Sequence, residues 1–164
     1  MVVLCGQLKL EDKKIRCNTT TIYIWWSLHE PEDGVFVFNK EEYDFVSFIQ
    51  IAHSLDLLVI VCVGPYIMTE VHFGGFSYWI MKKQGIAIRR LNKIYYQLID
   101  RYFDQLIPRL VPLQYHLDGN IINFQIEVNS DVPLISFNDA HQYYGYLRDG
   151  LIKRGIKNLI NILA

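Results

Sequence analysis

The sequence predicts a parallel α/β fold. Strand-like and helix-like segments alternate along the chain. The run Leu57-Leu58-Val59-Ile60-Val61-Cys62-Val63 is continuously apolar, as a strand buried on both faces of a parallel sheet must be. No GxGxxG follows a strand candidate, which weighs against a dinucleotide-binding sheet. Periodicity alone leaves open a doubly wound sheet or a piece of a (β/α)8 barrel. Four strand candidates are too few to close a barrel.

The first strand candidate covers residues 21–26, β-branched and aromatic throughout. Pro31-Glu32-Asp33-Gly34 reads as a turn. Asn39 is placed as a helix N-cap, with Glu42 three residues on as in a capping box. The helix it would open puts Phe45, Phe48, Ile49 and Ala52 on one face, and Asp56 closes it. The apolar strand at 57–63 follows. A second helix runs from about Asn92 to Ile107, with Ile94, Tyr95, Leu98, Ile99, Tyr102, Phe103 and Leu106 at helical spacing and Pro108 and Pro112 at its exit.

Ile121-Ile122-Asn123-Phe124-Gln125-Ile126 is the third strand candidate. A third helix starts near Asn138, carries Tyr144, Leu147, Leu151 and Ile152, and ends at Lys153-Arg154-Gly155, basic residues followed by glycine. A fourth strand candidate begins at Lys157 and runs to Leu163.

At 164 residues, 51% apolar and 20% charged, the chain is of globular type and the length of one domain. Sixteen basic and 17 acidic side chains leave no basic footprint for nucleic acid or an anionic membrane. No stretch has the length of a membrane span. The three cysteines, Cys5, Cys17 and Cys62, lack CxxC spacing, so no zinc site or disulfide framework is read from them. The N-terminal apolar run has neither a basic start nor a cleavage site, so it does not read as a signal peptide. Asn18-Thr19-Thr20 fits a glycosylation sequon but leads into a strand expected to be buried.

The motifs narrow the choice of architecture. Trp26-Ser27-Leu28-His29-Glu30-Pro31 is followed, one strand–helix unit later, by Gly64-Pro65-Tyr66-Ile67-Met68-Thr69-Glu70-Val71-His72-Phe73-Gly74-Gly75. Tyr102-Phe103-Asp104-Gln105-Leu106-Ile107-Pro108-Arg109, Pro112-Leu113-Gln114-Tyr115 and Ile121 to Glu127 come after them. In this order they resemble the catalytic barrel of the family 35 glycoside hydrolases, the β-galactosidases and their β-galactosidase-1-like relatives, from about Leu8 to Ile160. The resemblance implies an incomplete (β/α)8 TIM barrel, with residues 1–164 forming one partial catalytic domain of about strands two to five and their helices.

It also implies a chemistry. The family removes terminal β-galactosyl residues with retention, using two carboxylates roughly 5 Å apart, one as acid/base and one as nucleophile. The acid/base stands in a Gln-Val-Glu-Asn-Glu-Tyr-Gly pattern, where this chain reads Gln125-Ile126-Glu127-Val128-Asn129-Ser130-Asp131. The catalytic position therefore falls on Asn129, which has no proton to donate. A shift of one residue puts Ser130 there instead, and Asp131 has a shorter arm on displaced backbone. The nucleophile belongs to a later barrel strand, outside these residues. Cys62 stands where the family has an arginine that supports the nucleophile. No catalytic residue is assigned.

By the same resemblance, Tyr23 is the galactose-contacting tyrosine after the second barrel strand, and Glu70 the carboxylate that grips sugar hydroxyls after the third. Glu127 and Asn129 complete the candidate substrate-contacting set. Strand alternation puts Glu127 on the side of Asn129, and it also reads as a structural carboxylate. Trp26 and Trp79 read as packing residues, His29 and Glu30 as structural links from strand end to turn, and His72 takes no role. A galactoside or other carbohydrate is the implied partner, and no cofactor or metal is expected. The remainder of the barrel, or a second copy, is the expected partner for folding. The family works in lysosomes, vacuoles or outside the cell, but the chain carries no address of its own.

Overall fold

The computed structural model describes residues 17–40, 43–67, 72–128 and 137–163. Four strands, β1 (Thr19–Tyr23), β2 (Leu58–Gly64), β3 (Ile121–Val128) and β4 (Leu159–Leu163), form one sheet in the order β1-β2-β3-β4. Every neighbouring pair is parallel. Three helices, α1 (Phe45–Ser54), α2 (Lys93–Leu110) and α3 (Phe137–Lys153), cross between consecutive strands. The α/β alternation expected from the sequence is therefore present.

All three helices pack on one face of the sheet. Ile22 and Ile24, Val59, Val61 and Val63, and Phe124 and Ile126 join the buried faces of the helices in one hydrophobic core. Burial of such side chains contributes about 1.5–3 kcal/mol each, and this core dominates the fold's stability. The opposite face carries a smaller cluster, Cys62 and Ile67 with Tyr23 and Trp25 packed against them.

Helix ends follow local chemistry. α1 begins later than the Asn39 cap predicts: Asp44 caps it, its Oδ1 accepting from the Ser47 amide at 3.0 Å and its Oδ2 from the Ser47 hydroxyl at 2.6 Å. Glu42 lies outside the described residues. At the other end, Asp56 adopts a left-handed φ of 56° while Asp56 and Leu57 amides bond back to His53 and Ala52, a closed Schellman turn. Gly155 ends α3 in the same way at φ 102°, with the Ile156 amide on Leu151.

Two further expectations are corrected. Pro108 lies inside α2, which continues to Leu110. A proline this close to the C-terminus removes only one hydrogen bond, and completing the turn buries both Ile107 and Leu110 fully. On α3, Tyr143 joins Leu147 and Leu151 as a fully buried residue, Tyr144 packs partly buried against the same core, and Ile152 is exposed.

Candidate functional site

The pairing register places Tyr23, Cys62, Gln125 and Asn161 side by side across the four strands. Alternation turns this row away from the helices, because Ile22 and Ile24, Val61 and Val63, Phe124 and Ile126, and Ile160 and Ile162 on either side face them. One row earlier stand Thr21, Ile60, Asn123 and Leu159. Tyr23, the candidate sugar-contacting tyrosine, thus belongs to the helix-free face, near the C-terminal ends of the strands. The amide oxygens of Asn123, Gln125 and Asn161 have no hydrogen-bond partner among the described residues. Burial pushes the Cys62 thiol up to about 12, so it stays protonated and inert at neutral pH.

Glu127 is fully buried. Its φ is +55°, and the register between β3 and β4 shifts between Ile126 and Val128, so simple strand alternation does not carry through this residue. Oε1 accepts from the Tyr143 hydroxyl at 2.6 Å and the Tyr66 amide at 3.3 Å. Oε2 accepts from Arg89 Nε at 2.8 Å. Burial raises the Glu127 carboxyl above the ordinary carboxylate range, opposed by the Arg89 charge and the donated hydrogen bonds.

Glu30 is the second fully buried carboxylate. It accepts from Trp26 Nε1 at 2.6 Å and the Gly34 amide at 2.9 Å, and pairs with Arg101 on α2. Its backbone oxygen accepts from Ser77 Oγ and Trp79 Nε1. His29 stacks on Phe38 and lies 3.0 Å from the Val37 carbonyl through Nδ1. His29 and Glu30 thus link the strand end to the turn as expected, and Trp26 and Trp79 pack against each other as buried rings. Each of these two buried carboxylates is thus engaged by an arginine, Glu127 by Arg89 and Glu30 by Arg101.

Glu70 and Asn129, the other two candidate contacts, lie outside the described residues, as do Ser130 and Asp131. Arg89 and Tyr143 were not legible as partners of Glu127. Arg89 sits in a loop 38 positions from it, and Tyr143 shares a helix turn with the equally plausible Tyr144. A groove of about 260 Å³ runs along the β4 edge between Ile126, Tyr144, Ile160 and Ile162. Among the described residues no cluster of His, Cys, Asp or Glu could hold a metal ion, and no helix is long and apolar enough to cross a membrane.

Comparison with known proteins gives the arrangement its context. Residues 9–163 match the family described as glycosyl hydrolases family 35. Beta-galactosidase-1-like protein 3 of Rattus norvegicus is 40% identical over 143 residues, which are 87% of this chain and 22% of that protein. Beta-galactosidase-1-like protein 2 of Homo sapiens is 38% identical over 92% of this chain and 23% of its own length. The chain therefore spans about a fifth of these curated relatives. A solved GH5 family lichenase from Caldicellulosiruptor sp. F32 superimposes with a TM-score of 0.57 at 15% identity, over 98% of this chain and 44% of that one, a likeness of fold. By the match along nearly its whole length, the chain belongs to glycosyl hydrolases family 35.

Proposed function

We propose that this chain is part of a β-galactosidase-type catalytic barrel that recognises a terminal β-galactosyl group and does not itself hydrolyse it. Its strands β1 to β4 would be the second to fifth strands of a (β/α)8 barrel. The observation that carries the reading is the segment Gln125-Ile126-Glu127-Val128-Asn129-Ser130-Asp131 at the end of β3. It keeps the family's Gln and first Glu, as Gln125 and Glu127, and puts an amide where the acid/base carboxylate belongs. An amide cannot protonate a glycosidic oxygen, and loss of one member of a catalytic pair costs several orders of magnitude.

Recognition would fall to Tyr23 on the helix-free face, with Glu70 and Asn129 as further contacts and the buried Glu127 as a supporting carboxylate. Tyr23 shares its row with the amides of Gln125 and Asn161, hydrogen-bonding groups suited to a hydroxyl-rich ligand. Two or three contacts on an open face give weak affinity, because ordering consumes much of the gain.

Two measurements test this. Release of a chromogenic leaving group from a β-galactoside should not exceed that of the Glu70→Gln protein; clear turnover above that control would overturn the inactive reading. Galactose at millimolar concentration should shift the NMR resonances of Tyr23 and its neighbours, and an unchanged spectrum would leave a truncated product without independent function as the better account.

A further inference from the structure

Tyr66 is gripped twice. Its amide donates to Glu127, and its ring lies under the Arg89 guanidinium, whose carbon is 3.9 Å from the ring centroid. Arg89 and Glu127 close the triangle through their own ion pair. Both Arg89, at φ 56°, and Glu127, at φ 55°, hold left-handed backbone that side chains rarely adopt. The Tyr66 ring in turn fills the space over Gly74, and the Ile67 amide bonds to the Gly74 carbonyl at 3.0 Å. From the other side, Tyr95 on α2 and Tyr143 on α3 form a buried hydroxyl pair 3.0 Å apart, and the Tyr143 hydroxyl donates a hydrogen bond to the Glu127 carboxylate. One carboxylate thus joins the segment after β2, the loop before α2 and the helix after β3.

We propose that Glu127 is a positioning residue, a clasp that fixes the segment after β2 against the end of β3 through Tyr66 and Arg89. Strained backbone persists only where its surroundings over-determine it, and here the ion pair, the stacked ring and the tyrosine pair do so together. The consequence for sugar recognition rests on the galactoside reading above; the clasp itself does not.

The charged and titratable groups around the carboxylate are Arg89, Tyr95 and Tyr143, with Cys62 beside it on β2. They give the clasp a signature that a purely structural carboxylate lacks. The Tyr66 bond favours the charged form of Glu127, so a proton favours local opening. Protection of the Tyr66 amide against hydrogen exchange should fall as pH drops through a midpoint above the ordinary carboxylate range. Global unfolding responds with the opposite sign. The folded carboxyl is raised above its unfolded value, so its stabilising contribution is full below the unfolded value and is lost as pH rises through the folded one.

Amide exchange at Tyr66 and Ile67, corrected for intrinsic rates, together with urea denaturation, reads both signs. In Glu127→Gln, Tyr66 protection should fall several-fold and both pH dependences should flatten. Should Glu127→Gln not fold, Tyr143→Phe removes one donor and should move the midpoint of Tyr66 protection to higher pH. Unchanged Tyr66 protection in Glu127→Gln, an unmoved midpoint in Tyr143→Phe, or local and global pH responses of the same sign would overturn the clasp. Galactose titration of the same proteins separates the two readings. A silent wild type rejects sugar recognition, while the exchange data still decide the clasp.

Discussion

The Trp26 indole donates to the Glu30 carboxylate at 2.6 Å, although only one turn of helix separates them. The pair is sealed by the rings around it: Trp26 stacks on Tyr102 of α2 at 4.7 Å between centroids and meets Trp79 edge-on. Glu30 also takes the Gly34 amide and Arg101, and Arg101 reaches Asp33 at 2.8 Å. The chain after β1 is thereby fastened to α2 through a buried carboxylate.

Removing that charge should be costly. Glu30→Ala leaves the Trp26 N–H and the Gly34 amide without acceptors and Arg101 without its buried partner. Breaking a buried pair from one side typically costs about 3–5 kcal/mol, and the lower part of that range is expected here because Arg101 retains Asp33 and solvent. Glu30→Gln keeps an acceptor for Trp26 and should lose less. The ordering is read from urea midpoints, and equal losses in the two variants would show that the charge is immaterial.

Gly74 and Gly85 separate steric exclusion from backbone strain. Both have positive φ, 62° and 74°. A Cβ on Gly74 would lie 2.0 Å from Tyr66 Cε2, whereas on Gly85 its nearest neighbour is Ile94 Cδ1 at 3.7 Å. The Tyr66 ring has no easy retreat, with Arg89 on it and Phe76 beside it. Gly85→Ala should lose about 1–2 kcal/mol, the strain alone. Gly74→Ala should lose this and about 1–3 kcal/mol more for the overlap, and should disturb Tyr66 resonances selectively.

His29 should make the protein acid-sensitive. Burial lowers its imidazole below the ordinary value of 6.5, the Val37 carbonyl opposing and the Arg109 charge adding to the effect. The unfolded chain therefore binds more protons than the folded one in the window from 6.5 down to the lowered value. Stability contributed by neutral His29 is full above that window and is lost as pH falls through it, by at most about 1.4 kcal/mol per pH unit. His29→Asn removes the titration and should show a flatter profile over the same range in pH-dependent urea unfolding.

What the sequence revealed, and what it hid, follows from how local each determinant is. β2 was legible because a strand covered on both faces must be continuously apolar, and β3 because its apolar residues alternate with Asn123, Gln125 and Glu127. β1 was placed two residues late at its start and three at its end, since Ile24 still bonds to β2 through the Cys62 carbonyl and Trp26 is as buried as any strand residue while already helical. The Asn39 cap was a fair local signal that lost to Asp44, whose serine three residues on supplies both hydrogen bonds. At the site, motif order led to Tyr23 and to the structural reading of Glu30. It could not reveal Arg89, because nothing in a loop arginine announces the partner it finds across the fold. Nor could it reveal the left-handed φ of Glu127, which no glycine or asparagine marks.

The two described cysteines should differ sharply in reactivity, and that difference reports on the helix-free face. Cys17 is exposed and Cys62 buried. Cys62 lies between Tyr23 and Gln125 in the cross-sheet row, with Ile67 packed against it, and its thiol is pushed up to about 12 mainly by burial, the Glu127 charge adding to it. A thiolate-specific reagent at neutral pH should therefore label Cys17 rapidly and Cys62 only through opening of the fold. Peptide mass mapping of the labelled protein distinguishes the sites. If Cys62 labels as fast as Cys17 in the native protein, Ile67 and Tyr23 do not cover it, and the row on which sugar recognition is proposed does not exist in solution. Protection that disappears at the same urea concentration as the global transition would instead show that this face is part of the cooperative fold.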